Sequence, residues 1–292
     1  MDLNCKNVIW SKGCLDHEYK LTETELVTSP DYILNMVQNK PIVWIRNTSM
    51  TNIKTDLDFL VDILYKIKKP FTLITTDGDR PVPSSYSNTT VHTLLESDKV
   101  LRWYTQNYDK SIIHDKLTYM PIGLDLHTKR WLINDSISKK VNYMVEQRME
   151  SRDKRKNVIL SDFHLHYSHP ERRELHEKLK HNNKIYFLPN HVSFKEITNL
   201  YNTYQFVLSP RGNGLDCHRT WELFLAGAIL ITKTSSLDSM YIDNNLPVVI
   251  LKDWNELDHD LETKLTQWYD KYVHLTSIVN IYPRMKFSYW LK

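Results

Sequence analysis

Along most of the chain, short apolar runs rich in β-branched residues alternate with segments whose apolar residues recur every three or four positions. The first pattern is that of strands buried on both faces and the second that of amphipathic helices. Their regular alternation predicts βαβ units and parallel sheets. In the first half, strands are predicted at 41–46 (PIVWIR), 71–76 (FTLITT), 100–105 (VLRWYT) and 117–122 (LTYMPI), with helical spacing over 30–38, 55–67 and 89–97. In the second half, strands at 157–163, 184–189, 205–209, 228–232 and 247–251 alternate with helices near 170–181, 193–203, 216–227 and 236–244, which is the pattern of a doubly wound domain. The charged, glycine-free stretch 145–157 reads as a helix running into a linker, and 254–275 again has helical period. The expectation is an α/β chain of two Rossmann-like domains facing a central cleft. They would span residues 1–150 and 151–275, with a C-terminal helical segment, 276–292, packing back on the first domain.

Composition narrows the function classes. At 292 residues and 41% hydrophobic content the chain can bury a core in each of two domains. A formal net charge of +3, with 25% charged residues mixed in sign, gives no reason to expect nucleic acid as a partner. Cys5, Cys14 and Cys217 have neither the spacing of zinc ligands nor that of a disulfide framework, so a reducing, cytoplasmic setting is expected. No window approaches the roughly 18 to 20 apolar residues of a membrane span, and the N-terminus does not have the apolar run of a signal peptide.

The chain is sparing with glycine, yet two of its six stand in the stretch LSPRGNGLDCHRTWE, residues 208–222. The predicted strand ends at Ser209, the loop Arg211-Gly212-Asn213-Gly214 follows, and a helix begins near Asp216. The loop therefore lies at the C-terminal edge of a parallel sheet, where such sheets bind ligands. Glycines permit close backbone approach, and a helix N-terminus offers N–H groups and a positive dipole end, so the combination suits a phosphate. Arg211 and Arg219 add charge-assisted donors. Glu222, one turn after Arg219 on the same face, suits the hydroxyls of a ribose. A tight turn beside a surface ion pair is the plainer alternative, but the compound pattern favours a ligand site.

The segment FVLSPRGNGLDCHRTWELFLAGAILIT resembles the C-terminal signature of exostosin-like (GT47-type) glycosyltransferases: a strand, Pro, a Gly-containing loop, Arg, Glu, and a small residue before the next strand. Arg172-x-x-Leu175 after VILSDF is similar to the first helix of that family's nucleotide domain. TTDGDRPVPSS, WYTQNYD and PIGLDLHT look closer to short virus-encoded members, xylosyl-transferring ones from chloroviruses among them. The resemblance covers roughly residues 157–251, and the first half only loosely. Ala228-Ile229 departs from the family's usual Cys-Ile. The resemblance implies a GT-B fold, a UDP-sugar donor on the C-terminal domain, a carbohydrate acceptor, inversion at the anomeric carbon, no metal or other cofactor, and host cytoplasm if the chain is virus-encoded. The donor set it suggests is Ser161, Arg172, Ser209, Arg211, Gly212, Asn213, Gly214, His218, Arg219 and Glu222.

Three further segments are candidates for the acceptor side. Asp77-Gly78-Asp79 ends a strand and is literally Asp-x-Asp, the spacing with which metal-dependent GT-A transferases bind a cation and diphosphate. A tight Asp-Gly turn explains it equally well. Read as facing the cleft, Asp79 is the first choice for the general base, then Asp77, with Asp125 in reserve. Trp103 and Tyr104 suit stacking on a sugar and Gln106 suits reading hydroxyls, though core packing explains Trp103 as well. His127 follows in the next loop. His164, His166 and His169 invite a metal reading, but polar contacts to the donor suit their place in a strand-to-helix loop better. Cys217 has no base partner in the sequence. Two rivals stay open: a GT-A-like enzyme using Asp77 and Asp79, and a non-catalytic carbohydrate- or nucleotide-binding protein.

Overall fold

The computed structural model describes residues 7–14, 30–47, 54–126, 137–148, 154–165, 169–190 and 192–292. They form two compact units, one comprising Ile9–Ile122 with Gly214–Asp216, the other Gly123–Asn213 and Cys217–Lys292 together with Val8.

The first unit begins with a two-residue hairpin, β1 (Ile9–Trp10) and β2 (Gly13–Cys14). Helix α1 (Pro30–Asn39) leads to β3 (Ile42–Arg46), α2 (Asp56–Ile63) to β4 (Phe71–Thr76), and α3 (Asn88–Glu96) to β5 (Val100–Thr105); β6 (Leu117–Tyr119) follows. The four strands β3 to β6 pair in chain order, all parallel. Local chemistry sets the helix starts. Thr55 and Asp58 form a reciprocal capping box on α2, and Ser87 accepts the Thr90 N–H at the start of α3. Between sheet and helices lies a core that includes Phe71, Leu73, Leu60, Leu94 and Trp103.

The second unit contains α4 (Ile137–Glu146), β7 (Lys156–Ser161), α5 (Glu171–Leu179), β8 (Ile185–Phe187), α6 (Phe194–Thr203), β9 (Tyr204–Leu208), α7 (His218–Ala226), β10 (Ile229–Lys233), α8 (Asp238–Asp243), β11 (Val248–Leu251), α9 (Leu261–Tyr272), α10 (Ile278–Arg284) and α11 (Phe287–Trp290). Its sheet is wholly parallel, in the order β11-β10-β9-β7-β8. Counted within the unit this is 2-1-3-4-5, so the winding direction reverses between β7 and β9. Helix α6 starts on a Ser193/Glu196 capping box. Helix α7 ends on Gly227, whose φ of 79° lets its N–H reach the carbonyls of Leu223 and Phe224.

Most of the predicted strands and helices are present, generally with ends within three residues of those expected; the helix expected over 55–67 ends at Ile63 and that expected over 254–275 begins only at Leu261. The domain division is not where the pattern put it. The break falls at Ile122/Gly123 rather than near 150, and the helix expected over 145–157 is instead α4, at 137–146. Arg148 explains the difference: its guanidinium donates to the Leu225 carbonyl (2.8 Å) and to the Thr276 carbonyl, fastening the segment after α4 to the second unit. The C-terminal segment also belongs to that unit. Trp290 packs edge-to-face on Trp221 of α7, ring centroids 5.8 Å apart. The 117–122 strand is shorter than predicted, since Pro121 cannot donate to a ladder.

Candidate functional site

The reversal between β7 and β9 opens the sheet edge at which ligands of this topology bind. Two loops leave that edge side by side, Asp162–Leu165 after β7 and Ser209–Cys217 after β9. From the first come Ser161, the last residue of β7, and Asp162 and Phe163. From the second come Ser209 and the head of α7, and α5 contributes Arg172. A pocket of about 530 Å3 lies beside them, with Phe163, Leu188 and Ile197 among its apolar walls and Asp162, His164, Asn190 and Tyr201 as polar lining.

Two guanidinium groups meet here in unequal surroundings. Arg219, its side chain only 11% exposed, lies 3.4 Å from a carboxylate oxygen of Asp162 and 3.4 Å from the Ser209 hydroxyl. Burial works against its charge, but Asp162, Tyr201, Cys217 and Glu222 outweigh burial and raise its pKa. Among the described residues Arg172 forms no ion pair, although the Asp162 charge lies near enough to favour its charged form. It donates to the carbonyls of Arg211 (2.9 Å) and Pro210 (3.3 Å) and lies 4.0 Å from the Cys217 sulfur. Burial first, and the like charge of Arg219 second, bring its pKa down to about 10. Both guanidinium carbons lie about 6 Å from the centre of the Phe163 ring, at 5.9 and 6.0 Å. The Ser161 hydroxyl and the Arg219 Nε–H are buried with no hydrogen-bond partner among the described residues. Cys217, at the N-cap of α7, makes no side-chain cap bond. Buried donors left unpaired and under-neutralised positive charge are what a dianionic ligand would satisfy.

Of the residues expected to hold a donor, Ser161, Arg172, Ser209, Arg211, Gly212, Asn213, His218, Arg219 and Glu222 all lie in the second unit. The glycines have other work than the sequence suggests. Neither Gly212 nor Gly214 has a left-handed backbone. The Gly212 N–H donates to the Cys217 sulfur at 3.2 Å rather than standing open for a phosphate. Gly214 belongs with the first unit, where an added Cβ would lie 3.0 Å from the Asn107 amide nitrogen, a tight contact that the amide would have to yield to. Arg211 folds over its own loop, donating to the Gly212 and Asn213 carbonyls. His218 is tied through Nδ1 to the Gly123 carbonyl, 2.9 Å away. Glu222 is buried within α7.

The acceptor-side expectations change most. Trp103 is fully buried with its indole N–H on the Thr75 hydroxyl (2.9 Å), and Tyr104 is buried beside it in β5; neither shows a face to a sugar. Gln106, equally buried, spends its amide on the Asp77-Gly78 turn, accepting the Asp77 N–H and donating to the Gly78 carbonyl, each at 2.9 Å. Asn107 donates to the same carbonyl (2.8 Å) and accepts the Asp216 N–H (2.8 Å). Asp77 sits in the left-handed region at φ 63° and pairs with Arg46 at 3.5 Å, which fits a turn held in shape. Asp79 is exposed, with no hydrogen bond or ion pair among the described residues. Asp125 is buried at 7% exposure. His127 and His166 lie outside the described residues. Among the described residues no group of three or more His, Cys, Asp or Glu could hold a metal ion, and no helix is long and apolar enough to cross a membrane.

Asp162 and Tyr201 are the site residues that sequence reasoning missed. Asp162 directly follows the apolar run of β7, a position that was available as a signal. Tyr201 continues the apolar stripe of Phe194 and Ile197 on α6 and reads as core.

No protein family profile and no curated protein sequence matches the chain. Among solved structures it is similar to a UDP-forming α,α-trehalose-phosphate synthase from Burkholderia xenovorans, at 12% identity and a TM-score of 0.47 over 88% of this chain and 72% of that one. It is also similar to a glycosyltransferase from Rickettsia africae, at 16% identity and a TM-score of 0.46 over 91% and 80%. A third is WaaG, a glycosyltransferase of lipopolysaccharide biosynthesis, at 11% identity and a TM-score of 0.41 over 83% and 84%.

Proposed function

We propose that this chain is a glycosyltransferase of the GT-B class, exostosin-like, that takes a sugar from a UDP donor bound on its second unit and passes it to a carbohydrate acceptor. The observation that carries the reading is the switch point between β7 and β9. There Arg172 and Arg219, the Ser161 hydroxyl, which has no hydrogen-bond partner among the described residues, and the head of α7 adjoin a pocket of about 530 Å3 with both apolar and polar walls. A diphosphate would complete those donors, and the pocket would take the attached nucleoside. In the transfer, the bond between the anomeric carbon and the diphosphate breaks and its electron pair leaves with UDP. Guanidinium groups already held in place stabilise that growing charge without a metal. The acceptor oxygen attacks the anomeric carbon and gives up its proton to a base. Asp79, an exposed carboxylate in the loop after β4 with no partner among the described residues, is the residue proposed for it. Inversion at the anomeric carbon and a preference for UDP-xylose complete the proposal. A pocket shaped to a sugar without the C6 hydroxymethyl would exclude glucose by clash.

Thermal melting in EDTA is the first test. At a hundredfold excess over its dissociation constant, UDP stabilises by about 2.7 kcal/mol, roughly 5 to 10 °C in a chain of this size. A shift that disappears in EDTA and returns with Mn2+ would favour a metal-dependent donor site, and no shift at all would remove the nucleotide reading. A screen of UDP-sugars for acceptor-stimulated UDP release, with the product anomer read by NMR, then tests transfer, sugar and stereochemistry.

A further inference from the structure

The geometry points to Tyr201 as a positioning residue that acts through Asp162 to set the pose and free charge of Arg219. The inference rests on the donor reading above. The Tyr201 hydroxyl, reaching over from α6, donates to Asp162 Oδ2 at 2.6 Å. The other oxygen of the same carboxylate is 3.4 Å from Arg219 Nη1, and Arg219 Nη2 is 3.4 Å from Ser209 Oγ. Four elements thus meet in one chain of contacts: α6, the loop after β7, the end of β9 and the first turn of α7.

The distances carry the argument. The phenol–carboxylate bond is short and strong, whereas both contacts of Arg219 are at the outer limit of hydrogen bonding. A carboxylate and a guanidinium left to themselves form two parallel bonds at about 2.8 Å. Here the short bond to Tyr201 holds the carboxylate by one oxygen and leaves only the other turned toward Arg219, at 3.4 Å, so the two parallel bonds do not form. The guanidinium stays within reach of Ser209 with its Nε–H unpaired and part of its charge unspent. Without the hydroxyl, Asp162 is free to turn and take Arg219 into a closed ion pair, in competition with a ligand's phosphates. The Tyr201 ring also lines the pocket, but a phenylalanine would fill the same space, so the hydroxyl itself has this one observed contact.

The experiment is a double-mutant cycle read by calorimetry with UDP and with uridine, on the intact chain and on Tyr201→Phe, Arg219→Ala and the double variant. Tyr201→Phe is expected to weaken UDP binding about tenfold, the scale of one hydrogen bond to a charged group, and to leave uridine binding within about twofold. In the Arg219→Ala background the same change is expected to have no further effect on UDP. Equal losses for UDP and uridine would make Tyr201 a direct nucleoside contact and overturn the inference. Additive losses, or unchanged UDP binding in Tyr201→Phe, would overturn it too. Should Tyr201→Phe fail to fold, Asp162→Ala is the second variant: with no carboxylate left to compete with the phosphates, UDP binding is expected to hold or tighten while uridine binding stays within about twofold, and weaker UDP binding would overturn the inference. If the intact chain binds uridine and UDP not at all, the donor reading falls first and this inference with it, an outcome distinct from all the others.

Discussion

Arg172→Met separates the stability of the empty protein from its capacity for an anion. Arg172 is buried, and its pKa of about 10 stands roughly 2.5 units below the ordinary value for a guanidinium, which corresponds to about 3 kcal/mol against the charged form. Against this stand its bonds to the Arg211 and Pro210 carbonyls, worth about 1.5 to 3 kcal/mol each because the donor is charged, although the Pro210 contact is long. With the long Pro210 contact contributing little, the two contributions are of similar size. Methionine keeps much of the stem's packing against Phe163 and removes the mutual repulsion with Arg219. The empty variant is therefore expected to melt within about 1 kcal/mol of the parent, some 2 to 4 °C, where truncating a buried residue usually has a larger effect. UDP binding should fall tenfold or more, because the diphosphate loses one of its two buried cations. Paired thermal melts and calorimetry decide it. A variant that is several kcal/mol less stable yet binds UDP as tightly as the parent would show that Arg172 is scaffolding and that the anion site is misread.

Other outcomes follow from the same structure. Gly227→Ala should destabilise by about 2 to 4 kcal/mol in denaturant melts, since its φ of 79° is strained for alanine and the new Cβ would meet the Arg148 guanidinium at 2.7 Å; a neutral result would refute the cap. Glu171 is largely buried, and burial alone would raise its pKa, but hydrogen bonds from Lys233 and Trp254 carry it below its ordinary 4.5. Its folded value lies below its unfolded one, so its stabilisation is complete above about pH 4.5 and is lost as pH falls through the lower folded value. Glu171→Gln should accordingly flatten the acid limb of a stability–pH curve, and an unchanged limb would count against the pairing. Asp79→Asn is expected to lower transfer about a hundred- to ten-thousandfold while UDP affinity is kept; undiminished turnover would move the base elsewhere.

How much of this is legible in the sequence depends on the range of the physics. A strand buried on both faces and a helix with one apolar stripe are local patterns of period two and 3.6, so β4, β5, β9, β10 and the helices between them can be read from hydropathy alone. The loop after β9 and its arginines are legible for the same reason, since the end of a strand and the start of a helix are local events. Strand order is not local. Setting β9 beside β7 rather than β8 is a choice among long-range pairings, and it alone brings Ser161, Asp162 and Phe163 to Ser209 and Arg219. Hydropathy also does not say which polar residue at a strand end turns inward. Gln106 and Asn107 have the composition of a sugar reader, yet their amides are consumed in shaping the turn at Gly78, because buried backbone groups there need partners. Gly214 looks like part of a phosphate loop, yet it packs against Asn107, whose amide nitrogen would lie 3.0 Å from an added Cβ. Tyr201 is written as one more apolar position on α6. Only packing against the loop after β7 puts its hydroxyl on a carboxylate, since a hydrogen bond needs two atoms placed to within a few tenths of an ångström and a sequence places neither.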